Sequence, residues 1–373
     1  MSEFNPGRIM TAVDLRGWTK KDLAIRCGSA PSQITRLCQG LIPFTDQWAD
    51  RIAYETGLPV TFFILNDEET PAETLTFRRL AKMPKWKIGQ IASEFGLLAG
   101  SVNRLKSMTS LRNDTVWLDA LAPRSAPVPE DIERIASDVR TMWGLSAGQP
   151  IGDLTRNIER EGIFVVPLAS PVDDKIGDGV TRPTLPAAKN IIGYFPEGKP
   201  GDRQRFTIAH ELGHIILHRY RKPDDRKLAE QEAHDFAGAL LLPGETAKHI
   251  LSPRMTLDDY PYVKASWGMS VSSLINRAFR LGVIDSNRRK SLMIQLSTRH
   301  WNRHEPIEVA DERPTLFTQL VGSGFGDLND FIHPSVSKDS LQGFLGLPYD
   351  LVNHWCSDNL RIKEDRGIDS LLN

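Results

Sequence analysis

The sequence has few cysteines, no long apolar run and almost no net charge, and each shortage excludes a class of protein. Three cysteines occur in 373 residues, and an odd number at wide spacing favours neither a disulfide framework nor a cysteine-rich zinc site. No run of about 18 apolar residues is present, and the N-terminus lacks the apolar stretch of a signal peptide. We therefore expect a cytoplasmic protein that does not associate with a membrane.

The formal charge of -1 gives no global basic field that would attract nucleic acid. Any contact with DNA must therefore come from a local surface. Apolar residues make up 40% of the chain and charged residues 25%, which is typical of a globular protein. The length predicts two or three domains, at least one of which can enclose a sizeable core.

Helical signals dominate the chain, with short strands among them. Thr19 is a good N-cap for a short helix that Gly28 ends. Segments rich in β-branched and aromatic residues predict strands at 162–168 and 190–195. Periodic apolar residues predict helices at 205–219 and 227–242.

The helix predicted at 205–219 contains the pattern His-Glu-x-x-His. Residues four apart on a helix differ by about 40° in direction, so His210 and His214 project from one face. Two neutral imidazoles placed in this way can bind one Zn²⁺. Glu211 lies beside them without binding the ion, and it can take a proton from the attacking water and pass it to the leaving amine. The pattern therefore predicts a zinc metalloendopeptidase.

A third protein ligand is needed if one position at the zinc is to stay open for water. Glu230, on the next predicted helix, is the expected ligand. Glu232 points about 200° away from Glu230 on that helix, so the two cannot both bind. His234 lies one turn after Glu230, and it either orients this carboxylate or replaces it as the ligand. His218 lies about 6 Å beyond His214 along the axis, so we expect it to contact a ligand rather than to bind.

A helix without a metal could also carry this pattern, with two histidines on a packed face. Chance alone produces it on the order of once in a hundred chains of this composition. However, burying Glu211 and two histidines without a metal would be costly. A second acidic helix that contains histidine also follows closely. The zinc site is therefore the favoured interpretation.

Residues 203–218 and 230–243 resemble the ImmA/IrrE family of metallopeptidases. In that family, a helix with the histidine-glutamate pattern precedes a glutamate-containing helix that ends in Leu-Leu-x-Pro. The resemblance implies that the ligands are His210, His214 and Glu230, and that Glu211 is the catalytic base. The family commonly has asparagine where this chain has His234.

The resemblance extends over about residues 130–306. It implies a compact gluzincin-like core, in which a few strands pack on the active-site helices. It also implies a narrow substrate, typically a transcriptional repressor with a helix-turn-helix domain. Tyr194 and Arg205 are both candidates for stabilising the oxyanion, and the sequence does not rank them.

Residues 18–40 resemble the helix-turn-helix of Xre/Cro-like repressors, although that family usually has glutamate where Cys38 stands. The second helix would present a row of polar side chains to DNA, namely Ser32, Gln33, Thr35 and Arg36. Gln33 and Arg36 can read base edges, and Ser32 can hold a phosphate.

The charge of this region leaves a second interpretation open. Residues 1–65 hold seven Lys or Arg and six Asp or Glu, a net charge of +1, which is weak for a DNA-binding domain. A small helical module that dimerises, or that docks the substrate repressor, fits the same sequence. A homodimer is compatible with either interpretation.

These interpretations together predict an α+β protein, with an all-α domain ahead of a mainly helical peptidase domain that has a small β-sheet. The expected segments are an Xre-like domain at 1–65, a linker and helical segment at 66–129, the zinc peptidase at 130–306, and a C-terminal domain of unclear role at 307–373.

The expected function is regulatory cleavage of a repressor or antitoxin-like protein in a stress or phage-related response. The alternative is a DNA-binding transcriptional regulator whose peptidase-like domain is a sensor. Glu211 favours the enzyme, because a structural metal site has no use for a general base.

Overall fold

The computed structural model describes residues 4–68, 70–76, 83–109, 115–170, 178–186, 189–223, 225–326, 330 and 332–363. The chain divides into two compact units. Unit 1 comprises Met1–Arg112, Val166–Gly177 and Pro314–Asn373, and unit 2 comprises Asn113–Val165 and Asp178–Arg313. The predicted linker and helical segment at 66–129 lies partly outside the described residues, as does the segment at 307–373.

Unit 1 begins with helices around a small apolar core. These are α1 (Gly7–Leu15), α2 (Lys20–Arg26), α3 (Pro31–Cys38), α4 (Asp46–Thr56) and α5 (Lys85–Met108), with short 3₁₀ helices at Val60–Ile64 and Ala72–Thr74. Thr19 caps α2 as predicted, because its side chain accepts a hydrogen bond from the backbone N–H of Asp22. Gly28 follows with a φ of +59°, which favours glycine and ends the helix.

Unit 2 is mostly helical and contains a small sheet. In chain order it has α6 (Val116–Leu121), α7 (Pro129–Met142), α8 (Leu154–Arg160), β1 (Phe164–Pro167), which starts in this unit, β2 (Gly179–Val180), β3 (Ile191–Tyr194), α9 (Gly201–Leu217), α10 (Arg226–Leu241), α11 (Gly244–Ile250), α12 (Tyr260–Trp267), α13 (Val271–Arg280) and α14 (Ser286–Thr298). Its apolar core includes Ile208, Leu212, Phe236 and Leu240, which are fully buried. The predicted α+β class is confirmed at this level, as mostly helical structure with a small sheet.

The sheet of unit 2 has the strand order β1-β3-β2. β2 and β3 are antiparallel, with Gly179 opposite Tyr194 and Val180 opposite Gly193. The strands predicted at 162–168 and 190–195 are present in shortened form as β1 and β3. The edge strand β2 was not predicted, because two residues are too few to show a period-2 pattern.

The C-terminal residues complete unit 1 with α15 (Leu316–Phe325), β4 (Ser335–Val336), α16 (Lys338–Leu345), α17 (Tyr349–Trp355) and β5 (Arg361–Ile362). β4 and β5 form a parallel pair, with Ser335 opposite Arg361. The indole N–H of Trp355 donates to the buried carboxylate of Glu94 on α5, at 3.0 Å. Among the helices that the structure describes, none combines the length and the apolar character needed to cross a membrane.

Candidate metal centre

Helix α9 carries the predicted histidine-glutamate pattern on one buried face. The helix runs from Gly201 to Leu217, and His214 and Glu211 are 2% and 4% exposed. His210 lies one turn before His214, with its side chain 13% exposed. The Nε2 atoms of the two histidines are 3.1 Å apart. The spacing of four residues therefore brings both rings to one point, as the helix geometry requires.

Helix α10 packs closely against α9 and brings Glu230 to the same point. The close approach depends on Gly213, because a β-carbon there would lie 3.0 Å from Cδ1 of Phe236 and 3.2 Å from Cα of Ala233. The Oε2 atom of Glu230 lies 3.4 Å from Nε2 of His210. Its Oε1 atom lies 3.6 Å from Nε2 of His214.

These three side chains converge closely enough to share one metal ion. Their donor atoms all lie within 4.8 Å of one another. Donors that bind a tetrahedral Zn²⁺ at about 2.1 Å are separated from one another by about 3.4 Å. The two Nε2 atoms are 3.1 Å apart, and each lies within 3.6 Å of one of the two Glu230 oxygens. The donor set of two imidazoles and one carboxylate therefore fits zinc in both geometry and chemistry.

Glu211 lies against the edge strand of the sheet. A β-carbon placed on Gly179 of β2 would lie 2.8 Å from Cγ of Glu211 and 2.8 Å from Cγ2 of Thr207. A larger residue at this position would force the side chain of Glu211 or Thr207 to move. Gly179 was not predicted as part of the site, because a glycine among loop residues gives no signal of what packs against it.

A line of polar contacts extends from His214 away from the three donors. Nδ1 of His214 lies 2.9 Å from Nδ1 of His218, and Nε2 of His218 lies 3.0 Å from Oε2 of Glu232. Arg221 forms an ion pair with the same Glu232 oxygen. The helical angle excludes Glu232 from the metal, because it points away from Glu230. Glu232 points toward His218 instead. This contact becomes visible only when α9 and α10 are packed together.

Burial sets the protonation of these groups. Burial lowers the pKa of His214 well below its usual value, and the charges of His210 and His218 lower it further. Burial also lowers the pKa of His218, although its hydrogen bond to Glu232 opposes this. Burial would raise the pKa of Glu232, but the hydrogen bonds of His218 and Arg221 reverse the direction and lower it. Both imidazoles are therefore neutral near pH 7, and the carboxylate is charged.

His234 lies beside the three donors without belonging to their group. Its ring centroid is 6.2 Å from that of His210 and 4.7 Å from that of Phe206. Among the described residues, the group whose donors lie close enough to share an ion contains Glu230 and not His234. The arrangement therefore favours Glu230 over His234 as the third ligand, and it places His234 next to a histidine ring.

The two candidates for oxyanion stabilisation have other partners. The Arg205 guanidinium forms an ion pair with Glu312 and donates to the carbonyl oxygen of Ile151 at 2.7 Å. Tyr194 is 4% exposed, and its hydroxyl is hydrogen bonded to the Gln204 side chain. The Arg205 guanidinium thus neutralises a buried carboxylate, and an oxyanion role for either side chain stays a prediction.

The predicted DNA-contacting residues lie on α3 in unit 1. Ser32, Gln33 and Arg36 are exposed, and Thr35 is half-buried, with its hydroxyl donating to the carbonyl of Pro31 at 3.0 Å. Ile34 and Leu37 on the opposite face are fully buried. The helix thus presents its polar face to solvent.

Residues 158–279 match a peptidase family. The matching family model is that of the IrrE N-terminal-like domain, Peptidase M78, and the matched segment extends from α8 into α13. A comparison with curated proteins found no match. The match supports a metallopeptidase domain, and it covers the peptidase part of the resemblance but not the N-terminal helices.

The IrrE-like segment contains every residue of the candidate centre. His210, Glu211 and His214 lie on α9, and Glu230 lies on α10. A peptidase domain of this family is expected to hold a metal ion, usually zinc. The donor spacing described above fits that ion.

Proposed function

We propose that unit 2 is a zinc-dependent endopeptidase, with His210, His214 and Glu230 as ligands. The observation that carries the proposal is the convergence of their three donors within 4.8 Å of one another. The IrrE-like match over the same residues supports it. Three protein ligands would leave a fourth position for water, which is the arrangement of catalytic rather than structural zinc sites.

Glu211 is proposed as the general base. A bound zinc ion would polarise the scissile carbonyl and lower the pKa of a water molecule. Glu211 follows His210 in the chain and its side chain is 4% exposed. It would accept the proton of the attacking water and then deliver it to the leaving amine. Its carboxylate is confined between α9 and Gly179, so little motion is available to it.

The sheet supports a peptide substrate. β2 is an edge strand of the described sheet, and its first residue packs against Glu211. An edge strand offers backbone N–H and C=O groups with which an extended peptide can pair. The proposed substrate is a repressor with a helix-turn-helix domain, or an antitoxin-like protein, cleaved in a stress or phage-related response. The resemblance of 203–218 and 230–243 to ImmA/IrrE proteins supports this class.

The test combines zinc analysis with cleavage of repressors encoded in neighbouring genes. We expect about one zinc per chain, and cleavage that is lost in Glu211→Gln. The matched control is Glu197→Gln, which changes an exposed glutamate of the same unit. Unchanged cleavage in Glu211→Gln would contradict the mechanism. Bound zinc with no cleavage of any repressor, together with metal-dependent DNA binding, would favour the sensor instead.

We also propose that α3 contacts DNA through Ser32, Gln33, Thr35 and Arg36. The exposure of three of these side chains on one helix supports the proposal. The test selects genomic fragments that bind the full chain and then measures the affinity of Arg36→Ala. The control is Lys21→Ala, which removes an equal charge from α2. We expect a loss of about 1–3 kcal/mol, concentrated at particular bases, for Arg36→Ala alone. Equal losses in both variants would indicate general charge attraction, and binding of a repressor without DNA would indicate a docking module.

A further inference from the structure

The contacts beyond His214 form one continuous line that ends at Arg221. In order they are His214 to His218 at 2.9 Å, His218 to Glu232 at 3.0 Å, and Glu232 to Arg221. The side chains of His214, His218 and Glu232 are at most 5% exposed, and that of Arg221 is 13% exposed. Water therefore has little access to the line, and each group depends on its neighbour for a hydrogen-bond partner.

Arg221, the last residue of the line, determines the direction of each hydrogen bond in it. A guanidinium can only donate, so Oε2 of Glu232 accepts from Arg221. A carboxylate paired with a guanidinium is ionised and can only accept, so Nε2 of His218 must carry the hydrogen that it shares with Glu232. A neutral His218 then has a bare Nδ1 atom, which can only accept.

The same reasoning fixes the ring of His214. Its Nδ1 atom lies 2.9 Å from the bare Nδ1 of His218, so it must be the donor. Nε2 of a neutral His214 is then without hydrogen. This is the atom that faces Nε2 of His210 and Oε1 of Glu230. The lone pair of His214 is thus directed at the point where the three donors converge.

We infer that His218 and Glu232 are positioning residues that set the tautomer of His214 for metal binding, with Arg221 as the ion-pair partner of Glu232. The inference rests on the proposed zinc site, and it assigns a role to Glu232 and Arg221 that lies outside the ligand set. In the other tautomer, Nε2–H of His214 would point at the metal position and oppose binding. The partner of a ligand histidine commonly changes metal affinity by about 10- to 100-fold.

The tautomers are measurable directly in the full chain. The protein has nine histidines, and ¹⁵N labelling of histidine with long-range ¹H–¹⁵N correlation distinguishes Nδ1–H from Nε2–H rings. Single substitutions assign the signals. In the metal-free protein we expect His214 as Nδ1–H and His218 as Nε2–H. An Nε2–H ring at His214 would overturn the inference.

Zinc affinity gives a second readout, measured by competition with a chromogenic chelator. His218→Phe keeps a ring in the packed space but removes the acceptor, and we expect zinc to bind about 10- to 100-fold more weakly. His218→Gln restores an amide acceptor, and we expect part of the affinity to return. The control is His249→Phe, the same change at an exposed histidine of α11, which should bind zinc like the original protein.

Glu232 and Arg221 are tested together, because removing one alone leaves a buried charge unpaired. The double variant with Glu232→Leu and Arg221→Leu replaces the pair by apolar side chains of similar size. We expect both tautomers of His218 to appear in its spectrum, and zinc to bind more weakly. A spectrum that still shows only Nε2–H at His218 would overturn the role of the pair.

The outcomes separate this inference from the zinc proposal. If the original protein and His210→Ala both fail to bind zinc, the zinc proposal fails. If the original protein binds zinc and His218→Phe binds it equally well, only the tautomer inference fails. A purely structural role of His218 would lower the melting temperature of the metal-free protein in both His218→Phe and His218→Gln, without recovery of affinity in the latter.

Discussion

Gly179 and Glu211 are packed so closely that a β-carbon added to Gly179 would push the two residues apart. That atom would lie 2.8 Å from Cγ of Glu211 and 3.0 Å from its Oε1. The proposed general base is therefore confined by the backbone of the strand β2, which the sequence pattern did not reveal. Gly179 in the sheet therefore helps to set the position of the Glu211 carboxylate on α9.

Gly179→Ala is expected to slow peptide cleavage by about 10- to 100-fold while leaving zinc bound, because small displacements of a catalytic group have effects of this size. Cleavage of an identified repressor, with zinc content measured in parallel, tests the prediction. Gly148→Ala is the control, since no atom lies within 4 Å of a β-carbon there. Equal rates in both variants would count against Glu211 as the base.

Gly213→Ala is expected to push α10 away from α9, since its β-carbon would meet Phe236 at 3.0 Å and Ala233 at 3.2 Å. Overpacking of this kind costs about 1–3 kcal/mol of unfolding free energy. It should also weaken zinc binding, because Glu230 on α10 moves away from His210 and His214. Urea unfolding and chelator competition measure the two effects. A loss of stability with unchanged zinc affinity would show that the separation of the helices does not set the site.

Asp178 provides a pH-dependent contribution to stability. Burial would raise the pKa of Asp178, but the hydrogen bonds of Arg203 and the charge of Lys199 outweigh it, and the net direction is downward. The pKa of Asp178 is therefore lower in the folded state than in the unfolded state. Its contribution to the free energy of unfolding is complete above about pH 4, where the unfolded carboxylate is ionised. This contribution is lost as the pH falls further.

Asp178→Asn should therefore lower the free energy of unfolding by about 1.5–3 kcal/mol at pH 7, and the difference from the original protein should shrink below about pH 4. Urea unfolding of the metal-free protein between pH 7 and pH 3.5 tests this. Asp138→Asn, which alters a half-exposed carboxylate, should show a small difference at pH 7. A difference for Asp178→Asn that stays constant to pH 3.5 would be the contrary result.

Glu312→Gln is expected to destabilise unit 2 strongly. The carboxylate accepts the backbone N–H groups of Leu154 and Thr155, at 3.0 and 2.7 Å, and forms a buried ion pair with Arg205. Removing one partner from a buried pair costs about 3–5 kcal/mol. Glu308→Gln, at an exposed position, should have little effect. Equal unfolding midpoints in urea would refute the assigned role.

The sequence predicted most of what local chemistry determines. Thr19 and Gly28 end α2 as expected, and the four-residue spacing of His210 and His214 brings their rings together. These features depend on neighbours along one helix. The choice of Glu230 also agrees with the observed cluster, although it required the additional assumption that the next helix packs alongside.

The remaining features depend on contacts between distant segments, and no spacing rule encodes them. Glu232 faces His218 across two helices, and the helical angle alone could only exclude it from the metal. Arg205 is one of the two side chains that the sequence offers for the oxyanion. Its partner, Glu312, is 107 residues away, so nothing near Arg205 in the chain indicates that its charge is neutralised.

Lys264 connects the family match to residues beyond it. Its ammonium group pairs with Asp202 at 2.9 Å and with Glu305 at 2.7 Å, and the side chains of Lys264 and Asp202 are both 3% exposed. The match ends at residue 279, so a fragment cut there would lose Glu305 and leave an ammonium group in the interior with half of its countercharge. The shortest C-terminal boundary that keeps both this group and Arg205 neutralised lies after Glu312, so expression of the peptidase alone should extend past that residue.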